Sequence, residues 1–302
     1  MILLGLAGLV AGLPGCGSAP GAVLTADGRI RVVAAESQYG DVAAQVGGRY
    51  VDVTSIETNP NTDPHSYELS PSVAAAIQSA GLVIQNGLGY DPFMNRIESA
   101  TSVPGRRILD VQDLLRLPDS TPNPHLWYAP ATMPAVAAAI ASDLAAVQAG
   151  HGAYFRANAA RFVSSLRPWN RALARIRADH PGAPVAATEP VGDYLLRAAG
   201  LSDRTPFSFE SAVMNGVDPA PQDLTTQGDL IRRHRVDVLV YNAQVTDPMT
   251  AGFVRQARKA GIPVVALYET MPVPGYHYQT WMLAETEAIQ RALTSGASTE
   301  RL

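Results

Sequence analysis

Between residues 29 and 110 this 302-residue chain alternates short β-branched apolar runs with helix-like stretches, and few folds accept that rhythm. "RIRVVAA" (29–35) reads as a strand, "YGDVAAQVGG" as a helix closed by glycine, and "YVDVTSIE" (50–57) as a second strand. Ser70 is placed to cap, and Pro71 to begin, the alanine-rich helix in "SPSVAAAIQSA". "LVIQNG" (82–87) is a third strand, "DPFMNRIESA" a helix, and "RRILD" (106–110) a fourth strand. Strands separated by helices require crossover connections, which implies an α/β fold with a parallel sheet.

The rhythm stops at Met133. From there to His180 the pattern is helical throughout, and Phe155, Phe162, Leu166, Trp169, Leu173 and Ile176 recur at spacings of three, four or seven, making one apolar stripe. Pro168 is expected to bend this stretch or mark a join. At Pro181 the alternation resumes. It gives strand 183–188, the helices "VGDYLLRAAG" and "PQDLTTQGDLIRRH", strand 236–242, helix "MTAGFVRQARKAG", strand 262–269 and a last helix from about Gln279. The expectation is two α/β halves, 29–150 and 181–302, joined by a connecting helix over 151–180. A composition of 47% hydrophobic and 17% charged residues suits such a globular chain. The net charge of −4 and the absence of a basic tract give no case for nucleic acid.

The single cysteine ends an apolar run, "MILLGLAGLVAGLPGCGSAP", that is short for a membrane span and has the length of a signal segment. The pattern resembles a bacterial lipoprotein signal over residues 1–15, with Cys16 as the lipidated residue and 16–28 as a tether. That implies an extracytoplasmic, membrane-anchored protein. With Cys16 so used, no thiol remains for a disulfide or a cysteine-ligated metal.

Parallel α/β sheets place ligands beyond the carboxyl ends of their strands. Four metal-capable residues follow strands directly: His65 in "NPNTDPHSYELSPSV", His125 in "TPNPHLWYAP", Glu189 in "VAATEPVGDY" and His277 in "PVPGYHYQTW". Two come from each half, so all four can converge between the halves. Imidazole and carboxylate suit a divalent first-row metal, and four such donors close a tetrahedral zinc shell. Pro64, Pro124 and Pro190 stiffen three of these loops. The other histidines, His151, His180 and His234, stand at helix ends and read as structural.

The segments "DPHSYELSPS", "NPHLWYAP", "TEPVGDYLL", "VLVYNAQV" and "GYHYQTWM", in this order, resemble the solute-binding proteins of bacterial ABC importers for zinc and manganese. The resemblance covers nearly all of the chain after the tether. It implies two Rossmann-like lobes with parallel sheets, a rigid connecting helix and a metal between the lobes. It maps the family's ligands onto His65, His125 and Glu189, and its fourth onto His277, where the family commonly has aspartate. Two departures stand out: Ala129 replaces a carboxylate in the loop after His125, and a histidine-rich insertion carried by many zinc-binding members is absent. With His277 the site holds three nitrogens and one carboxylate, which favours Zn2+ over Mn2+, with Fe2+ behind. Asp63 and Glu68 beside His65, Asn123 and Tyr128 beside His125, and Asn242 and Gln244 at a strand end are candidates to orient these ligands.

The function expected is capture of a divalent ion by a monomer and its delivery to a membrane permease, without catalysis. Two other readings stay open. If His277 does not ligate, three donors leave an open position, as in a zinc hydrolase. A metal-stabilised adhesin would instead unfold when its metal is removed.

Overall fold

The computed structural model describes residues 23–61, 70–100, 103–245, 247–272 and 275–302; Cys16, Asp63, His65 and Glu68 lie outside the described residues. The first lobe runs β1 (Ile30–Glu36), α1 (Ser37–Gly47), β2 (Val51–Glu57), α2 (Pro71–Ser79), β3 (Leu82–Gln85), α3 (Pro92–Ala100), β4 (Arg107–Asp110) and α4 (Val111–Leu115). Its four strands are all parallel, in the order β2-β1-β3-β4. β1 carries apolar residues at nearly every position because both faces are covered: Ile30, Val32, Val33, Ala34 and Ala35 are all buried. Ser70 caps α2 as expected, its hydroxyl accepting from the Val73 amide, with Pro71 at the first position.

Three helices follow: α5 (Thr132–Val147), α6 (Gly152–Ser165) and α7 (Arg167–Asp179). The connecting helix is therefore two helices, not one. Pro168 has no amide hydrogen to give the Ser164 carbonyl, and Arg167 Nε donates to that carbonyl instead, at 3.1 Å. The apolar stripe is buried along its whole length, from Phe155 to Ile176. Burying each of its large side chains is worth about 1.5–3 kcal/mol. Trp169 Nε1 also donates to Thr286 Oγ1 at 2.9 Å, tying α7 to the last helix of the chain.

The second lobe runs β5 (Pro184–Ala187), α8 (Asp193–Ala198), β6 (Ser202–Asp203), α9 (Phe207–Met214), α10 (Pro221–Arg232), β7 (Val238–Asn242), α11 (Pro248–Ala260), β8 (Val264–Leu267) and α12 (Tyr278–Ser295). Its strands are again parallel, in the order β6-β5-β7-β8. The chain is thus α/β with two parallel four-stranded sheets of the same topology. Three elements had no counterpart in the sequence reading. β6 is two residues long, α4 is five, and α9 ("FSFESAVM") lacks a clean apolar stripe. Among the described residues no helix is long and apolar enough to cross a membrane.

In each sheet the order reverses beside the first strand, between β1 and β3 and between β5 and β7. The carboxyl ends of strands at such a point open a crevice for ligands.

Candidate metal centre

The second lobe delivers its polar groups straight from strand ends. β5 stops at Ala187, and the backbone stays extended through Glu189, with φ −152° and ψ 163°. β8 stops at Leu267, and Glu269 follows at the same two-residue offset. Asn242 is the last residue of β7, the strand that pairs with both β5 and β8. Its Nδ2 donates to Glu189 Oε2 at 3.0 Å and to Glu269 Oε1 at 2.6 Å, holding the two carboxylates side by side. The amide cannot be turned round, since its Oδ1 accepts from the Gln244 amide at 3.0 Å. Gln244 fixes the next segment in turn, its Oε1 accepting from the amides of Glu269 (2.6 Å) and Thr270 (2.7 Å).

His125 comes from the first lobe and meets Glu269 directly, with Nε2 at 3.1 Å from Oε2. Asn123 decides what that nitrogen can do. Asn123 Nδ2 donates to the Pro190 carbonyl across the cleft (2.6 Å), which leaves Oδ1 facing the imidazole. That oxygen accepts from the His125 backbone amide (3.0 Å) and lies 2.8 Å from ring Nδ1. The proton is therefore held on Nδ1, and Nε2 presents its lone pair toward the Glu269 carboxylate. Two lone pairs at this distance need a cation or a proton between them. A carbonyl that fixes the ring's tautomer is the usual support of a metal-ligating histidine. Trp127 and Tyr90 pack edge-on against the ring, with centroids at 5.4 and 5.8 Å.

His125, Glu189 and Glu269 are each buried to within a few per cent. The first lobe adds further buried acids. Glu36, at the end of β1, is buried, and its carboxyl is pushed well above the ordinary range by burial, then by the charges of Asp91 and Glu57. Burial raises Asp91 to about 6, although its carboxylate accepts from the amides of Asn86 (2.6 Å) and Gly87 (3.0 Å). Those bonds set the loop after β3. Gly87 sits there at φ +78°, where a Cβ would come 2.7 Å from Asp110 Oδ1. The same loop sends Tyr90 across the cleft to donate to Glu269 Oε2 at 2.8 Å. A buried, acid-rich crevice of this kind attracts and holds a cation.

The structure brings together His125, Glu189, Asn123, Asn242 and Gln244 of the residues singled out from sequence. His65, Asp63 and Glu68 fall outside the described residues. Tyr128 lies apart from the imidazole: its hydroxyl is 2.7 Å from both the Tyr268 carbonyl and Glu285 Oε2. His277 is also elsewhere. Its side chain is 64% exposed, and its Nδ1 bonds Asp41 Oδ1 at 2.7 Å, while Asp41 Oδ2 accepts from the Tyr278 amide at 2.8 Å. The loop after Glu269 carries His277 on to the start of α12, where Asp41 of α1 caps the helix across the lobes. Glu269 stands at His125 in its place. The strand expected over 262–269 ends at Leu267, so Glu269 leaves the sheet at the same offset as Glu189.

Residues 32–292 match the family described as zinc-uptake complex component A, periplasmic. The manganese-binding lipoprotein MntA of Bacillus subtilis (strain 168) is 27% identical over 173 residues, 53% of this chain and 54% of that protein, so the match spans about half the relative's length. The iron-binding protein YfeA of Yersinia pestis is 23% identical over 230 residues, covering 72% of this chain and 71% of that one. Among solved structures, the Mn-bound periplasmic metal binding protein from candidatus Liberibacter asiaticus superposes with a TM-score of 0.72 at 20% identity, covering 87% of this chain and 99% of that one. A crystal structure of ZnuA gives 0.71 at 21% identity, covering 88% and 100%. These two likenesses establish a shared fold. The family match, which takes in every described residue of the centre, places the chain: it belongs to the family described as zinc-uptake complex component A, periplasmic.

Proposed function

We propose that this chain captures a divalent first-row cation on His125, Glu189 and Glu269, with His65 as the fourth donor, and delivers it to a membrane permease. The observation that carries this reading is the His125–Glu269 contact at 3.1 Å, made by an imidazole whose Asn123 partner leaves Nε2 as the donor. The preference for zinc expected from sequence rested on a third nitrogen from His277. Two imidazoles and two carboxylates form a harder set, in which the oxygens suit Mn2+ and the nitrogens Zn2+ or Fe2+. We therefore assign manganese as the cargo, with zinc and iron(II) as competitors. Anchoring through Cys16 completes the proposal, since a tethered protein stays near its permease. The sequence "LPGCGS" and the lipoprotein named among the relatives support it.

The test is metal retention after desalting, read by elemental analysis on purified protein offered Mn2+, Zn2+ or Fe2+ in turn. The expected result is one Mn2+ per chain, lost in His125→Ala. Retention of zinc but no manganese would overturn the assignment of cargo. Retention of no metal by a folded protein would overturn capture itself.

A further inference from the structure

The two oxygens of Glu269 are fixed from different lobes. Oε1 accepts from Asn242 Nδ2 at 2.6 Å, and Asn242 cannot follow a turning carboxylate because its own Oδ1 accepts from the Gln244 amide. Oε2 accepts from the Tyr90 hydroxyl at 2.8 Å, and this is the oxygen that lies 3.1 Å from His125 Nε2. The backbone is fixed as well. The Glu269 and Thr270 amides donate to Gln244 Oε1, and the Met271 amide donates to Ser37 Oγ of the first lobe at 3.2 Å. The carboxylate therefore offers Oε2 beside the imidazole and keeps Oε1 at Asn242. Tyr90 is held just as firmly. It is buried, and its ring packs edge-on against Trp127 at 5.1 Å and His125 at 5.8 Å. Its amide donates to the Gly87 carbonyl at 3.1 Å, closing a turn that passes through Leu88 at φ +55°. A leucine in that left-handed region is strained and persists only where its surroundings impose it. Here Gln112 Oε1 does so, accepting from the Leu88 amide at 2.7 Å.

We propose that Tyr90 is a specificity-determining residue of the capture site: by holding Glu269 to ligation through Oε2 alone, it excludes Ca2+. Carboxylates suit calcium as well as manganese, so a centre with two of them needs a way to refuse the harder ion. Calcium takes about six to eight oxygens and often draws both from one carboxylate. In a shell that already gives places to imidazole, it can approach that number only if the carboxylates chelate. To chelate, Glu269 has to turn Oε1 away from Asn242 and swing Oε2 off the Tyr90 hydroxyl, which breaks two buried hydrogen bonds. A first-row ion binds imidazole well and can take Oε2 where it stands. The restraint thus costs the cargo little and calcium much. Tyr90 acts here as a positioning residue, through Glu269.

Tyr90 can have this role only if the centre captures a divalent ion as proposed above, and one experiment reads both. Metal-stripped full chain, wild type and Tyr90→Phe, is titrated with Mn2+ by calorimetry, with and without millimolar Ca2+. Phenylalanine keeps the ring that packs on Trp127 and His125 and removes only the hydroxyl. Calcium is expected to leave the wild-type titration unchanged and to weaken the apparent Mn2+ affinity of Tyr90→Phe at least about tenfold, the scale on which such supporting bonds act. A gained sensitivity to calcium is a result that a purely structural role for Tyr90 does not give. Mn2+ affinity lost to the same extent with and without calcium would overturn the proposal and leave Tyr90 as plain support. So would titrations of Tyr90→Phe that match wild type, or a wild type that calcium itself displaces. Folded wild type that takes up no Mn2+ in either buffer would overturn the capture reading and the role of Tyr90 with it.

Discussion

The two lobes share one strand order yet present the proposed ligands in different ways. The second lobe sends out Glu189 and Glu269 two residues beyond strand ends, with Asn242 as a strand's last residue, so the sheet itself sets their spacing. The first lobe holds His125 on a loop well beyond β4, and the ring's position depends on bonds made by that loop. Asn86 Nδ2 donates to the Pro124 carbonyl at 2.9 Å, Asn123 grips both the ring and Pro190, and Trp127 packs on the imidazole. A strand end places a group by backbone geometry; a loop needs a set of polar anchors to do as well. Substitutions in the second lobe should therefore remove charge without disturbing position. Those in the first should disturb position without removing a ligand.

The largest effect is expected for Glu269→Gln. The change keeps the side chain's shape and leaves an oxygen to accept from Tyr90 or Asn242, but it removes the carboxylate that meets His125, one of the two that Asn242 holds side by side. Manganese affinity should fall by more than the roughly 10–100-fold that loss of a supporting hydrogen bond costs. Calorimetry on metal-stripped protein measures this. A fall of about 100-fold or less would mean that Glu269 is support and that the lobes do not divide the work as argued.

Asn123→Ala probes the other lobe. Every ligand remains, but Nδ1 loses the oxygen that fixes its proton, and the Pro190 carbonyl loses its donor. A loss of about 10–100-fold in manganese affinity is expected, with Asn123→Asp recovering part of it because a carboxylate oxygen can again face Nδ1. An Ala variant that binds as wild type would show that packing by Trp127 and Tyr90 orients the ring unaided.

The same contrast explains what could be read before the fold was known. Strand and helix runs were legible because a parallel sheet covered on both faces demands continuous apolar strands, as in β1 and β7. His125 and Glu189 were legible as metal-capable residues just past such runs. Glu269 was not, because "IPVVALYE" has no punctuation between Leu267 and the acid, and one strand boundary decided its role. His277 shows the opposite limit: residue type and loop position fit a ligand, while the bond it makes to Asp41 of α1 arises only when the lobes pack. Asn123 and Asn242 were visible as neighbours of the site, but which atom each one faces is a tertiary fact.

Burial alone does not make an acid a ligand, and Glu285 shows it. It lies within the second lobe on α12, fully buried, accepting from the Trp281 indole (2.8 Å) and the Tyr268 amide (3.0 Å). Burial raises it to about 8, with the bonds from Tyr128, Trp281 and Tyr268 opposing. A folded-state value above the unfolded one means that the folded protein binds the proton more tightly. The stability it contributes is full below the ordinary value of 4.5 and is lost as pH rises through about 8. Glu285→Gln mimics the protonated form, so thermal melts of the variant should lose less stability than wild type between pH 5 and 9, with metal affinity unchanged. Parallel pH profiles for the two proteins would show that the carboxyl is already ionised in the fold.

The smallest effect should come from His277→Ala, which nevertheless tests the comparison most directly. If the second lobe acts only through its strand ends, a histidine at the start of α12 has no part in the centre. The ring is largely exposed and its bond is to Asp41, which keeps the Tyr278 amide and Gln45 as partners when the imidazole is gone. An exposed pair of this kind is worth under about 1 kcal/mol, so the melting temperature should drop by a few degrees at most. Manganese and zinc affinities should stay within about twofold of wild type, a difference of under roughly 0.5 kcal/mol. A tenfold loss for zinc with manganese unchanged would return His277 to the ligand set as a third nitrogen. The loop between Glu269 and α12 would then have to rearrange around the softer ion, and the two metals would be held by different shells.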